Sequence, residues 1–294
     1  MDKTKGIRKP SQMAGIALLI LLVLLPQIFP PSVRFFIFLF IIYSIMTLAF
    51  NLLLGYSGML VLGFHGFVGF SGYMLAICVT KLKIPWYLSI PLSAFTCVLL
   101  ALLLSFLIAR MRGLYFAMGT FIAATALLYF FQGWAYVGGG YGMSITAYID
   151  PSILYYIALI IMVASYIVMH MLVRSKIGLR LRAIADDDIV ASSLGIDVFR
   201  TKLYCWLISS FFIGLASATY YLSPKFISPS SAFDFNWTLI PLTATVIGGM
   251  GMLEASFVGA FVVLLIRNLF LVKFPGLSFL IYGFLLIVVL FFFP

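Results

Sequence analysis

Residues 174–202 read RSKIGLRLRAIADDDIVASSLGIDVFRTK, and they interrupt a chain that is otherwise almost uncharged. The stretch holds Arg174, Lys176, Arg180, Arg182, Asp186, Asp187, Asp188, Asp197, Arg200 and Lys202, ten of the 26 charged residues in 294. Hydrophobic residues make up 64% of the chain and charged residues only 9%, against about 25% charged in a soluble domain. So little polar surface does not cover a globule of this size, and lipid must be the solvent for much of it. On both sides of the charged stretch lie apolar runs of roughly the 17–25 residues that a helix needs to cross a bilayer core. The expected fold is all-α, a polytopic helical membrane protein.

Ten segments qualify as candidate helices: 13–29, 35–54, 59–79, 85–108, 114–132, 152–173, 203–222, 237–253, 256–272 and 277–293. Glycines or short length set apart the third, eighth and ninth, so the expectation is eight to ten transmembrane helices. The start, MDKTKGIRKPSQMAGIALLILLVLLPQIFPP, has the basic head and apolar run of a signal peptide. Pro26, Pro30 and Pro31 follow in place of a small-x-small cleavage site, which reads as a retained first span.

With the amino terminus inside, the cytoplasmic loops carry Lys3 to Lys9, Arg110, Arg112 and the six basic residues of 174–202. The outside loops carry Arg34, Lys81, Lys83, Lys225, Arg267 and Lys273. That asymmetry favours a cytoplasmic amino terminus and places 174–202 in the cytoplasm. It also accounts for the net charge of +10 without nucleic acid, because the basic residues lie between apolar runs rather than along one soluble face. Cys78, Cys97 and Cys205 are scattered in or beside apolar spans, which suggests neither disulfides nor a metal site. No loop approaches the roughly 40 residues at which unaided folding becomes plausible. Residues 1–294 therefore read as a single transmembrane domain, and any ATP hydrolysis belongs to another polypeptide.

Within the charged stretch, DDDIVASSLG forms a short helix signal. Asp186 is the expected N-cap, with Asp187 and Asp188 in the first turn where they offset the helix dipole. Gly195 is the expected left-handed terminator, with Ile196 folding back on Ala191. About eight residues are too few to be stable alone, since isolated helices need roughly 12–15. Val190, Ala191 and Leu194 make a small apolar face opposite the acids. Upstream, Arg180 and Arg182 alternate with Leu179, Leu181, Ala183 and Ile184. Two readings follow: a helix docked in a groove of a partner protein, or one lying on anionic lipid. An anionic surface repels three consecutive aspartates, which favours the protein partner.

IGLRLRAIADDDIVASSLGIDVFRTK resembles the coupling-loop signature of branched-chain amino acid ABC permeases of the LivM-like kind, near GRALRAIREDEIAAxALGI…K. The matching positions are Gly178, Leu181, Arg182, Ala183, Ile184, Asp187, Ala191, Leu194, Gly195, Ile196 and Lys202. Further blocks follow in the family's order: NLLLGYSGMLVLGFHGFVGFSGY (51–73), RGLYFAMGTF (112–121), VGGGYGM (137–143) and VIGGMGMLEASFVGA (246–260). Departures are Met59 for Gln, Val61 for Ser, Phe64 for His, Tyr141 for Asp, and Glu254-Ala255-Ser256 for Trp-Gly-Pro. The resemblance implies a type II-like importer permease bundle in a prokaryotic plasma (inner) membrane. It implies as partners a second permease subunit, two ATPase subunits carrying ATP-Mg, and an extracytoplasmic substrate-binding protein. No cofactor or catalytic residue is expected on this chain. The ATPase-coupling set would be Gly178, Arg180, Arg182, Ala183, Ile184, Asp186, Asp187, Asp188, Ala191, Leu194 and Gly195. The solute would be a branched-chain amino acid, although recognition lies largely with the binding protein, and another amino acid, an amide or urea stays open.

The candidate translocation path comprises Asn51, Gly55, Gly58, Gly63, His65, Tyr115, Thr120, Gly248, Gly249, Gly251 and Glu254. GYSGML (55–60) and GGMGML (248–253) share a Gly-x-x-Gly-Met-Leu pattern, and glycine-interrupted spans in two parts of a transporter point to its path. Each residue has a plainer alternative. Gly63, Gly66, Gly69 and Gly72 can simply let helices approach closely. Asn51 can be an interhelical hydrogen bond, His65 a packed histidine, Glu254 a solvated end, and Arg267 a side chain snorkelling to the interface. Among rival functions, an intramembrane enzyme lacks its constellation, since His65 and His170 are the only histidines and no span holds two acids. An ion-coupled secondary transporter or channel is the better rival, with Glu254 the nearest candidate for a mid-span ionisable group.

Overall fold

The computed structural model describes residues 30–108, 111, 113–271, 280, 282–284 and 287. The expected span 13–29, most of 277–293, and Lys3 to Lys9, Arg110, Arg112 and Lys273 lie outside the described residues. The eight expected segments within them are helical over most of their length. In order they are α1 (Pro31–Asn51, continued by a π-turn Leu52–Tyr56), α2 (Phe64–Ala76, with a π-turn Ile77–Lys81), α3 (Trp86–Ile108) and α4 (Leu114–Gly133). After a two-residue strand β1 (Met143–Ser144) come α5 (Pro151–Arg174), α6 (Lys176–Asp186), α7 (Asp188–Ser193) and α8 (Val198–Tyr221). Strand β2 (Phe226–Ile227), α9 (Pro229–Ala232), α10 (Asn236–Gly248) and α11 (Leu253–Ile266, with a π-turn Arg267–Leu271) complete the set.

Among the described residues, five helices are long and apolar enough to cross a membrane: Pro31–Tyr56, Trp86–Phe106, Leu114–Gly133, Pro151–Arg174 and Val198–Tyr221. The three that sequence sets apart are shorter. Helix α2 has 13 residues, α10 has 13 and α11 has 14, about 20 Å each at 1.5 Å per residue, against a hydrocarbon core of about 30 Å. The expected span 59–79 starts as α-helix only at Phe64, and 237–253 stops at Gly248. Gly249 and Gly251, at φ 112° and 78°, then turn the chain so that α10 and α11 form a hairpin.

Helix α1 is the axis of the bundle. From Phe38 to Asn51 every residue except Phe40 is buried, packed by α5, α8, α10 and α11. Helix α8 joins this group to α2 through hydroxyls that donate to neighbouring carbonyls, Ser209 to Ala49 of α1 (3.2 Å) and Ser217 to Val68 of α2 (2.6 Å), and to α3 through the Trp206 indole, which donates to Ala101 at 2.8 Å. Ser71 of α2 returns the contact, donating to Gly214 at 2.8 Å. Such hydroxyls suit lipid, where no water competes for the carbonyl and small residues let backbones approach.

The charged stretch and the strand pair lie at opposite ends of the bundle. At the strand end, β1 pairs antiparallel with β2, and Arg34 donates to Ser152 Oγ at 2.8 Å. Asp150 caps α5 there by accepting from the Ser152 amide at 2.7 Å, a bond that holds its carboxyl below the usual carboxylate range.

Candidate functional site

The charged stretch is almost wholly helical, and it corrects the sequence reading in three places. It forms two helices rather than one, because α6 runs on through Asp186. The N-cap of α7 is consequently Asp187, not Asp186: extended at φ −160° and ψ 115°, it accepts from the amides of Ile189 (2.7 Å) and Val190 (3.0 Å). Arg200 and Lys202 belong to the first turns of α8 rather than to a loop. The terminator stands as read, with Gly195 at φ 80° and the Ile196 amide donating to the Ala191 carbonyl at 3.1 Å.

What holds so short a helix is also visible. Asp188 and Lys202 form a half-buried ion pair, Nζ lying 2.8 Å from each carboxylate oxygen. Helix α6 buries Gly178, Leu181 and Ile184 against the bundle, and a Cβ on Gly178 would overlap the Val173 carbonyl. Arg182 stacks over Tyr56, 5.8 Å from its ring centre, and Gly58 approaches Ala185. Ala191 is buried, so it is not part of the outward apolar face. That face consists of Leu179, Ile189, Val190 and Leu194, the last 74% exposed, bordered by exposed Arg180, Arg182, Asp186 and Asp187. A rigidly capped platform thus presents four apolar side chains between charges of both signs.

The proposed path residues fall into two clusters. In the first, the two glycine-rich repeats meet. Asn51, wholly buried, accepts from the Gly251 amide at 2.9 Å and donates to the Met252 carbonyl and Ser256 Oγ, both at 2.9 Å. A Cβ on Gly55 would overlap Asn51 Oδ1 and the Gly251 amide. Gly248 and Gly249 form the adjoining turn, and Glu254 starts α11 beside it. The interhelical-bond reading of Asn51 is the one the geometry matches. Asn51→Leu is expected to strand the Gly251 amide and the Met252 carbonyl, destabilising the bundle by about 3 kcal/mol. A fall in the detergent melting temperature, with the solute and partners absent, checks this.

In the second cluster, the Gly63 amide donates to Thr120 Oγ1 at 3.1 Å. His65, buried in α2, donates its amide to Thr238 Oγ1 at 3.0 Å, and its Nδ1 lies 2.9 Å from the same hydroxyl. Because that hydroxyl donates to the Leu62 carbonyl at 3.2 Å, Nδ1–H is the donor to it. Gly63 and Gly66 meet α4 at Thr120 and Ala124, while Gly69 and Gly72 meet Phe233, Tyr221 and Ile227. A three-residue spacing drifts around a 3.6-residue helix, so one stripe serves two neighbours. Tyr115 joins neither cluster and is 79% exposed. Glu254 is no mid-span group: it sits at the charged end of the bundle, exposed, accepting from Tyr166 at 2.9 Å with His170 at 3.9 Å.

Sequence reasoning missed a cavity of about 720 Å³ between α1, the α9–α10 segment and α11. Tyr43, Asp234, Asn236, Trp237, Arg267 and Tyr282 line its polar part. Arg267 does not reach for an interface but lies over Tyr43, 5.7 Å from the ring centre. The available signal was Arg267 itself, an ionisable residue inside the apolar run 256–272. Asp234 carried none, since it precedes a run.

The family described as "Branched-chain amino acid transport system / permease component" matches residues 32–290. The "High-affinity branched-chain amino acid transport system permease protein LivM" of Salmonella typhimurium (strain LT2) is 28% identical over 260 residues, covering 78% of this chain and 61% of that protein. The LivM protein of Escherichia coli (strain K12) is 28% identical over 290 residues, covering 86% and 67%. The chain thus spans about two thirds of the length of these relatives. No solved structure matches it significantly. With the family match running from α1 to beyond α11, the chain belongs to the branched-chain amino acid transport system permease components.

Proposed function

We propose that this chain is a permease subunit of an ABC importer that moves branched-chain amino acids across the inner membrane by alternating access. In this reading the α6–α7 platform faces the cytoplasm and seats in a groove of an ATPase subunit, where ATP-Mg is bound and hydrolysed. A second permease subunit completes the path, and an extracytoplasmic protein delivers the solute at the strand end. The observation that carries this is the outward face of Ile189, Val190 and Leu194 on a capped helix anchored to the bundle by the Asp188–Lys202 pair. A solvated loop has no use for such a face, and a channel or ion-coupled carrier has no need of the platform. Glu254, at the charged end, is poorly placed to bind a coupling ion mid-span.

Affinity purification of the tagged, solubilised chain from its native membrane tests the proposal. The expected result is co-purification of an ATPase and a second permease, both lost when residues 186–195 are scrambled. A homo-oligomer without ATPase overturns it.

A further inference from the structure

We propose that the cavity around Arg267 and Asp234 is a binding site for a zwitterionic α-amino acid within the membrane domain, an inference that rests on the transport reading above. The two residues carry opposite charge in one cavity, yet no ion pair joins them among the described residues. Arg267 is half-buried and lies over the Tyr43 ring, with no hydrogen bond to a described residue. Asp234 takes the Asn236 amide on Oδ1 at 2.8 Å, which fixes its carboxylate and leaves Oδ2 unused among the described residues. Charges withdrawn from water are costly unless paired, and a purely structural pair would be brought into contact. Opposite charges held apart in a shared cavity instead match a ligand that carries both signs. A carboxylate suits the planar fork of Arg267, and an ammonium group suits Asp234.

Asn236 and Tyr282 also border the cavity, although Asn236 Oδ1 and Tyr282 OH are themselves closed off from it. Beside these groups Leu39 and Ile240 offer an aliphatic wall for a branched side chain. The volume falls within the roughly 300–1,000 Å³ of small-molecule sites.

The backbone around the cavity is broken where a transport site requires it. Arg267 opens a π-turn, a form concentrated at functional sites, and Asp234 lies in the irregular link before the short helix α10. The lining runs from exposed Ser32 and Phe35, in the first turn of α1, to buried Tyr43, three turns deeper. Two turns further on, the Asn51 clamp ties α1 to the α10–α11 hairpin. The cavity is therefore reached from the strand end and closed toward the charged end, as a site awaiting delivered solute must be.

The test titrates the purified full-length chain in nanodiscs with L-leucine, following tryptophan fluorescence. Two probes each lack one charge: 4-methylpentanoate has no ammonium and 3-methylbutylamine has no carboxylate. Leucine is expected to bind at least tenfold more tightly than either. Arg267→Gln and Asp234→Asn should each weaken leucine binding at least tenfold without lowering the melting temperature, and Arg267→Lys should recover part of the loss. Equal binding of leucine and the single-charge probes, or wild-type leucine binding in both variants, overturns the site. Leucine uptake by cells carrying the whole system separates the two claims. Unchanged uptake in Arg267→Gln cells removes the site and leaves the importer, whereas no uptake by the wild type removes the importer reading itself.

Discussion

A chain carrying Val190→Asp together with Leu194→Asp is expected to accumulate in the membrane at the wild-type level and to lose its ATPase. Both side chains are exposed, 56% and 74%, so nothing inside the bundle depends on them. If the ATPase covers them, each apolar side chain withdrawn from water contributes about 1.5–3 kcal/mol. Losing about 3 kcal/mol in total weakens the association roughly a hundredfold, and solute uptake should fall with it. Pull-down of the ATPase, set beside the amount of chain in the membrane, provides the readout. Substitution of buried Ala191 is a poor substitute for this experiment, because it would disturb the attachment of α7 to the bundle. Normal uptake by the double variant would show that the platform docks nothing.

Gly55→Val is expected to be severely damaging, and the damage is to folding. Its Cβ would fall on the hydrogen bond between buried Asn51 Oδ1 and the half-buried Gly251 amide. Overpacking alone costs about 1–3 kcal/mol, and breaking the bond leaves the wholly buried Asn51 oxygen unsatisfied for about 1–3 kcal/mol more. That is a large share of a stability of roughly 5–15 kcal/mol. Gly133→Ala is the matched control, since nothing lies within 4 Å of a Cβ there. Membrane yield and the size-exclusion profile of the two variants decide it: an aggregated Gly55→Val beside a well-behaved Gly133→Ala is the expected pair, and equal profiles would show that the clamp does not hold the bundle.

Much of the molecule was legible along the chain. Hydropathy located the helices because lipid rewards long apolar runs wherever they pack. Asp187, Asp188 and Gly195 announced a short capped helix because capping is local chemistry, written within a few residues. The cap itself shifted from Asp186 to Asp187 because α6, held by the burial of Leu181 and Ile184, runs through Asp186. The repeats at 55–60 and 248–253 raised the possibility of a shared role, but nothing in either segment says that Gly55 and Gly251 touch.

Sequence alone therefore determined the solvent, the helices, and the one place where charge collects. Tertiary structure decided which face of that platform is free, that Asn51 clamps two distant glycine turns, that Glu254 stands at the charged end, and that Arg267 and Asp234 share a cavity. The physical reason is range. Hydrophobic runs and caps are satisfied by neighbours in sequence, whereas a charge such as Arg267, 33 positions from Asp234, acquires meaning only from what the packing of α1, α10 and α11 brings beside it.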